Sequence, residues 1–311
     1  MVEASNLTKR YGPFTAVNGI SFAIPVGEVV GFIGPNGAGK TSTMRMLTGF
    51  LPATEGTAVV AGHDVFEEPR KVKQKVGYLP EIPPLYSELT VGQYLSFVAE
   101  LRGVSRTKRL GRVGLVMEQV GLTGWEDRIL GSLSKGFRQR VGIAQALVHE
   151  PEVLILDEPT SGLDPVQTEG VRTLIDSLSA DRTIILSTHL LREVEALCSR
   201  VIMIDQGKIA ADGTIESVRE AAGGAHYRLR LEAADNTGFQ EPAKVALQIS
   251  DLDAVTQVEP VDGGVFKVWS EVDPRPDVVA LAAAKGWRVY EVEQHLPSLE
   301  EAFMCLVENE Q

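Results

Sequence analysis

The sequence predicts an α/β fold with a mostly parallel sheet and a helical insertion, followed by a small α+β domain. Apolar runs separated by helical stretches fill the first two-thirds of the chain, and a glycine-rich loop stands between a predicted strand and a predicted helix. The last third changes to alternating apolar and polar residues. The length of 311 residues also fits two domains of roughly 100–200 residues each.

Continuous apolar runs mark the strands of the predicted parallel sheet. They occupy residues 29–33, 153–156 and 183–186, and a fourth run at 201–204 leads into a hairpin turn at 205–208. Strands that are covered by helices on both faces have such uninterrupted apolar runs. Because these strands alternate with helical stretches, we expect a mostly parallel core.

A helical insertion interrupts this α/β pattern. Residues 91–101 and 109–120 show the spacing of apolar residues that is typical of helices. We expect the helical subdomain to span about residues 85–145, within a first domain of residues 1–220.

The Ala-Ala-Gly-Gly segment at residues 221–224 marks the predicted domain boundary. The elements predicted beyond it are a strand at 227–231, a strand at 264–269, a helix at 276–285, a strand at 287–292 and a helix at 298–307. A small domain of βαββαβ type over residues 225–311 accounts for them. We expect it to have an accessory or dimer-stabilising role.

Composition restricts the class of protein. Lys and Arg number 30 against 42 Asp and Glu, so the net charge of −12 argues against broad nucleic-acid binding, which needs a basic face. The two cysteines belong to no metal-spaced cluster. No apolar run approaches the roughly 18–20 residues needed to cross a bilayer, so we do not expect the chain to span a membrane by itself.

A phosphate-binding loop is the strongest motif in the chain. Residues 34–41 match the pattern G-x-x-x-x-G-K-[ST] between a predicted strand and a predicted helix, as a P-loop NTPase requires. The glycines let backbone N–H groups approach phosphate oxygens, Lys40 supplies positive charge, and the Thr41 hydroxyl can ligate Mg²⁺. The predicted nucleotide-binding residues here are Gly34, Pro35, Asn36, Gly37, Ala38, Gly39, Lys40, Thr41 and Ser42.

Polar side chains follow two further predicted strands. Asp157 and Glu158 come directly after one apolar run, and His189 follows another. Ligands of open α/β sheets bind at the carboxyl ends of strands. We therefore expect Asp157 to hold Mg²⁺, Glu158 to polarise the water that attacks the γ-phosphate, and His189 to contact that phosphate.

These motifs, together with the segment Leu-Ser-Lys-Gly-Phe-Arg-Gln-Arg at residues 133–140, resemble the nucleotide-binding subunits of ABC transporters. The resemblance covers roughly residues 2–220. Within this family, the segment at 133–140 and the residues Gly-Tyr-Leu-Pro-Glu at 77–81 most resemble the ATPases of ABC-2-type exporters, including gliding-motility and multidrug types. It implies that Tyr11 stacks on adenine and that Ser134 and Gly136 contact the γ-phosphate held by an opposite subunit.

The sequence departs from the family pattern in two places, the signature segment (residues 133–140) and residue 81. In the signature segment, Lys135 and Phe137 replace the usual glycine and glutamine. Lys135 either contacts phosphate or faces solvent. Glu81 stands where the family commonly has glutamine. Because a carboxylate accepts hydrogen bonds from metal-bound water, Glu81 is a candidate metal-site residue.

The resemblance implies an ATPase that binds ATP and Mg²⁺, closes as a head-to-tail dimer and powers an exporter. Its partners would be one or more separate transmembrane permease subunits and a second ATPase subunit, as a homodimer or with a similar protein. Its location would be the cytoplasmic face of the plasma (inner) membrane. Two alternatives remain: a soluble ABC ATPase acting on ribosomes or DNA, and a non-hydrolysing regulatory subunit.

Overall fold

The structure is a computed structural model that describes residues 1–222, 225–233 and 241–308. The chain divides into two compact units, Met1–Ile215 and Glu216–Gln311. The boundary predicted at residues 221–224 includes Gly223 and Gly224, which lie outside the described residues. The same holds for residues 234–240 and 309–311 of the predicted second domain.

The first unit begins with an antiparallel sheet that the apolar pattern does not predict. Its strands, in the order β2-β1-β4-β5, are β1 (Val2–Tyr11), β2 (Phe14–Ile24), β4 (Glu55–Val60) and β5 (His63–Asp64). The pairing of β1 with β2 shifts register three times, and Asn6 within β1 has a φ of 51°. These irregularities break the period-two alternation that would have marked the strands.

The second sheet of this unit confirms the predicted parallel core. Its strands, in the order β10-β9-β3-β8-β7-β6, are β3 (Val29–Ile33), β6 (Val76–Leu79), β7 (Val153–Asp157), β8 (Thr183–Thr188), β9 (Arg200–Asp205) and β10 (Lys208–Thr214). Neighbouring strands run parallel except β10, which forms the predicted hairpin with β9. Every residue of β7 and β8 is buried, as their apolar runs predict.

Seven α-helices lie in the described part of this unit, and an eighth begins at its last residue, Ile215. They are α1 (Lys40–Leu47), α2 (Pro69–Lys75), α3 (Val91–Leu101), α4 (Arg106–Gln119), α5 (Lys135–Leu147), α6 (Pro165–Ser179), α7 (Leu191–Leu197) and α8 (Ile215–Ala221). Helices α3, α4 and α5 form the helical insertion. Thr90 begins α3 with a capping box that it shares with Gln93.

The second unit has the predicted βαββαβ order with one further helix. Its elements are β11 (His226–Glu232), α9 (Pro242–Ser250), β12 (Val255–Val261), β13 (Val265–Ser270), α10 (Arg275–Lys285), β14 (Arg288–His295) and α11 (Leu299–Glu308). The sheet is antiparallel in the order β12-β13-β11-β14. Leu229, Phe266 and Ile249 are fully buried between sheet and helices.

Across the described ranges, each helix is too short or too polar to cross a membrane.

Candidate nucleotide-binding site

The glycine-rich loop connects β3 to α1 at the carboxyl edge of the parallel sheet. Two of its glycines have no room for a side chain. A Cβ at Gly34 would lie 2.1 Å from the carbonyl oxygen of Ile204, and one at Gly39 would lie 2.4 Å from that of Ala16. Gly39 also has a φ of 109°, in the left-handed region that favours glycine. The backbone of the loop is therefore held by close contacts on both sides.

Lys40 folds back over the loop that precedes it. Its Nζ donates to the carbonyl oxygens of Gly34 and Pro35, at 2.6 Å and 3.1 Å. Burial lowers the pKa of Lys40, and the nearby carboxylates of Glu158 and Asp157 oppose this shift. The Lys40 ammonium group thus lies in the middle of the loop. A phosphate group can replace the two carbonyl oxygens as its hydrogen-bond partner.

Asp157 stands at the end of β7 and is 1% exposed. Its Oδ1 accepts a hydrogen bond of 2.8 Å from the hydroxyl of Ser187, the residue opposite it on β8. Its Oδ2 is buried and has no hydrogen-bond partner among the described residues. Burial raises the pKa of Asp157, while the hydroxyls of Ser187 and Thr41 act in the opposite direction. One carboxylate oxygen is therefore left available for a cation.

Glu158 is held by the segment that follows β8. Its Oε1 accepts from the backbone N–H of His189 at 3.1 Å and lies 2.8 Å from the ring Nδ1 of His189. Its Oε2 accepts from the Thr188 hydroxyl at 3.1 Å. Glu158 also has a φ of 50°, unusual for a residue with a side chain. Both carboxylate oxygens are oriented, and the ring Nε2 of His189 is left for another partner.

A cavity of about 520 Å³ brings most of the predicted residues together. It is lined by Tyr11, Phe14, Ala16, Asn36, Gly37, Gly39, Lys40, Thr41, Ser42, Glu81, Glu158, Ser161 and His189. The Tyr11 hydroxyl lies 3.4 Å from that of Ser42. Phe14 is 60% exposed and pairs with Tyr11 across the β1–β2 turn. Phe14 was not predicted as a site residue, although its place just beyond Tyr11 at a Gly-Pro turn is a usable signal.

Ser134 and Gly136 do not line this cavity. Ser134 caps α5, and its Oγ accepts from the backbone N–H of Phe137 at 3.4 Å. Lys135 is exposed, and its Nζ lies only 2.1 Å from the place that a Cβ on Gly162 would occupy. The ring of Phe137 stacks on Trp125, with centroids 4.0 Å apart, and so has a packing partner within the insertion.

Similarities to known proteins agree with this geometry. Residues 17–161 match the family model described as ABC transporter. The bacitracin transport ATP-binding protein BcrA of Bacillus licheniformis is 32% identical over 99% of this chain and 97% of its own length. The Nod factor export ATP-binding protein I of Burkholderia orbicola (strain AU 1054) is 33% identical over the same shares, 99% and 97%.

A solved structure gives the same result at the level of the fold. The structure of CbiO1 from Clostridium perfringens, part of the ABC transporter complex CbiONQ, has a TM-score of 0.64 and 29% identity, covering 71% of this chain and 92% of that chain. Relatives above 30% identity that this chain covers almost completely show the family. The chain therefore belongs to the ATP-binding proteins of ABC transporters, and it is an enzyme that binds and hydrolyses ATP.

Proposed function

We propose that this chain is the ATPase of an ABC-2-type exporter, working at the cytoplasmic face of the plasma membrane with a separate transmembrane permease. The observation that carries the ATPase part is the cavity that Lys40, Thr41, Glu158 and Tyr11 line together. The exporter part is supported by similarity to proteins named for bacitracin transport and Nod factor export.

In this proposal the loop and its flanking residues bind the nucleotide. Backbone N–H groups of residues 36–41 and the Lys40 ammonium hold the phosphates, and the α1 N-terminus adds partial positive charge. Tyr11 is exposed enough, at 44%, to stack on the adenine ring. The contact between the Tyr11 and Ser42 hydroxyls orients the Tyr11 ring toward the phosphate loop.

The residues around Asp157 fit a magnesium ion. The buried Oδ2 of Asp157 without a partner and the nearby Thr41 hydroxyl are hard oxygen donors of the kind that Mg²⁺ prefers. Glu81 lines the same cavity and could accept from the ion's water ligands. When bound, Mg²⁺ neutralises charge on the phosphates. Thr41 would ligate the ion, and Asp157 would hold it through a water ligand.

Glu158 is the proposed general base for the attacking water. Hydrogen bonds from Thr188 and from the backbone of His189 orient its carboxylate before any substrate arrives. His189 adds a contact from its ring and is placed to bind the γ-phosphate through its other nitrogen. The two residues thus combine orientation of water with stabilisation of developing charge.

The signature segment acts on the nucleotide of a second subunit in this proposal. Ser134 is exposed at the N-terminus of a 13-residue helix, α5, which attracts anions. Ser134 and Gly136 do not line the cavity of their own chain. A second copy, or a similar ATPase, would therefore complete the site, and the second unit would stabilise this pair.

Two measurements test the proposal. ATP turnover of the wild type should fall at least about 100-fold in Glu158→Gln, while ATP binding is kept. Glu118→Gln on the exposed side of α4 serves as the matched control and should leave turnover unchanged. The chain should also co-purify with a membrane protein from native membranes in mild detergent. Recovery only with ribosomes or nucleic acid, or full turnover in Glu158→Gln, would refute the proposal.

A further inference from the structure

A buried carboxylate lies just outside the proposed catalytic residues. Glu193 on α7 is 2% exposed, and its Oε1 accepts a hydrogen bond from the hydroxyl of Thr160, which is 3% exposed. Its Oε2 is buried without a hydrogen-bond partner among the residues that the structure describes. Glu193 does not line the nucleotide cavity and is not among the residues proposed above to bind nucleotide or metal.

This hydrogen bond joins two segments that the Glu158 carboxylate also joins, through its contacts with Thr188 and His189. Glu158 and Thr160 belong to the segment that follows β7, and His189 and Glu193 belong to the segment that follows β8. The Glu158 carboxylate contacts the His189 ring. Two residues beyond Glu158, the Thr160 hydroxyl donates to the Glu193 carboxylate. Links spaced along both segments fix their relative translation and rotation, which a single link does not.

Stability alone gives no reason for a glutamate at this position. Burial raises the pKa of Glu193, so its charged form is disfavoured by the surroundings. A buried carboxylate oxygen without a partner costs free energy, and an apolar residue of similar size would avoid that cost. Residues that reduce stability in this way concentrate at functional sites.

We propose that Glu193 is a positioning residue for ATP hydrolysis: by accepting from Thr160, it holds the segment that carries Glu158 in register with the segment that carries His189. This inference rests on the proposed roles of Glu158 and His189. Glu193 touches neither nucleotide nor water in this role. Its loss therefore changes the rate of the chemical step and leaves ATP affinity unchanged.

The test compares variants of the full chain, purified with the membrane proteins that it retains in mild detergent. Glu193→Leu and Thr160→Val each remove the hydrogen bond with little change in volume, and each should lower kcat about tenfold with unchanged KM for ATP. Glu193→Gln and Thr160→Ser keep an acceptor and a donor, so both should stay within about twofold of the wild type. The melting temperature of the double variant Thr160→Val/Glu193→Leu, which removes both partners of the bond, should equal or exceed that of the wild type.

The double variant Thr160→Val/Glu193→Leu should lose no more activity than either single variant, because both act through one bond. Glu118→Gln, an exposed position on α4, is the control and should leave kcat unchanged. Unchanged kcat in Thr160→Val, or equal losses in Glu193→Gln and Glu193→Leu, would overturn the inference. If Glu158→Gln also keeps wild-type turnover, the proposed function itself fails. If Glu158→Gln is inactive, such results count against Glu193 alone.

Discussion

The ring Nδ1 of His189 lies 2.8 Å from Oε1 of Glu158, and the backbone N–H of His189 donates to the same oxygen at 3.1 Å. The two residues directly follow neighbouring parallel strands, β7 and β8, whose register places Asp157 opposite Ser187. One residue beyond that pair, the chain of β7 turns sharply at Glu158. The pairing is thus produced by sheet register together with a turn.

This contact predicts that His189→Ala lowers kcat by about 100-fold, because the ring orients Glu158 and contacts the reacting phosphate. ATP affinity should stay within about threefold, since the phosphate loop and Tyr11 are untouched. Steady-state turnover and binding of a fluorescent ATP analogue would measure the two effects separately. His295→Ala, in the second unit, is the control. Wild-type turnover in His189→Ala would contradict the prediction.

Asp157→Asn should weaken the binding of Mg²⁺ and leave folding intact. The change removes a buried charge whose pKa is raised by burial, so the melting temperature should equal or exceed that of the wild type at neutral pH. The Mg²⁺ concentration for half-maximal turnover should rise at least about tenfold. A titration of turnover with Mg²⁺ at saturating ATP measures this. An unchanged half-maximal concentration would exclude Asp157 from the metal site.

Gly39→Ala should impair the phosphate loop, whereas Gly111→Ala should stabilise the chain. An Ala at 39 would have to adopt a φ of 109° with its Cβ 2.4 Å from a backbone oxygen, so ATP binding should weaken at least about tenfold. Gly111 is exposed within α4 and a Cβ there meets nothing within 4 Å. Alanine at 111 should therefore add about 0.5–1 kcal/mol to the free energy of unfolding. Equal effects of the two substitutions on ATP binding, or on the free energy of unfolding, would contradict this reasoning.

The sequence predicts the parallel core because its strands are short, continuous apolar runs, each followed by a recognisable motif. It does not predict β1 and β2, because bulges around Asn6 destroy their alternation. The phosphate loop is local, so eight consecutive residues suffice to identify it. The Glu158–His189 contact spans 31 positions and depends on sheet register, so the sequence places both residues at one edge without predicting that they pair.

Packing around the signature segment also exceeds what the sequence can predict. Phe137 departs from the family pattern, and only the fold reveals that Trp125, from the loop before it, supplies a stacking partner. The same is true of Lys40, whose ammonium group bonds to the loop's own carbonyls. Both arrangements depend on side-chain positions that no periodicity encodes.

Phe137→Gln, which restores the usual family residue, should therefore reduce stability. The change loses the stack on Trp125 and part of the buried area, at a cost of about 1–2 kcal/mol in the free energy of unfolding. Phe50→Gln is the control, because Phe50 is 72% exposed and should tolerate the change. Urea denaturation of the two variants and the wild type measures the difference. A neutral Phe137→Gln would show that the stack contributes nothing to folding.

His149 should make the chain less stable in acid. Its Nε2 donates to the carbonyl oxygen of Val76 at 3.0 Å, and burial, aided by the charge of Arg102, lowers the pKa of His149 to about 4. In the unfolded chain its pKa returns to the ordinary value of about 6.5. The unfolded state therefore binds more protons between these two values, and the stability contributed by neutral His149 is complete above about pH 6.5 and lost toward pH 4.

The loss amounts to at most about 3.5 kcal/mol, from about 1.4 kcal/mol for each of about 2.5 pKa units. Glutamine can keep the donor to Val76 without titrating, so His149→Gln should narrow the stability gap between pH 7 and pH 4.5. Urea denaturation of both proteins at the two pH values measures this gap, and carboxylate effects cancel in the comparison. An identical pH dependence in wild type and His149→Gln would show that His149 is not the group responsible.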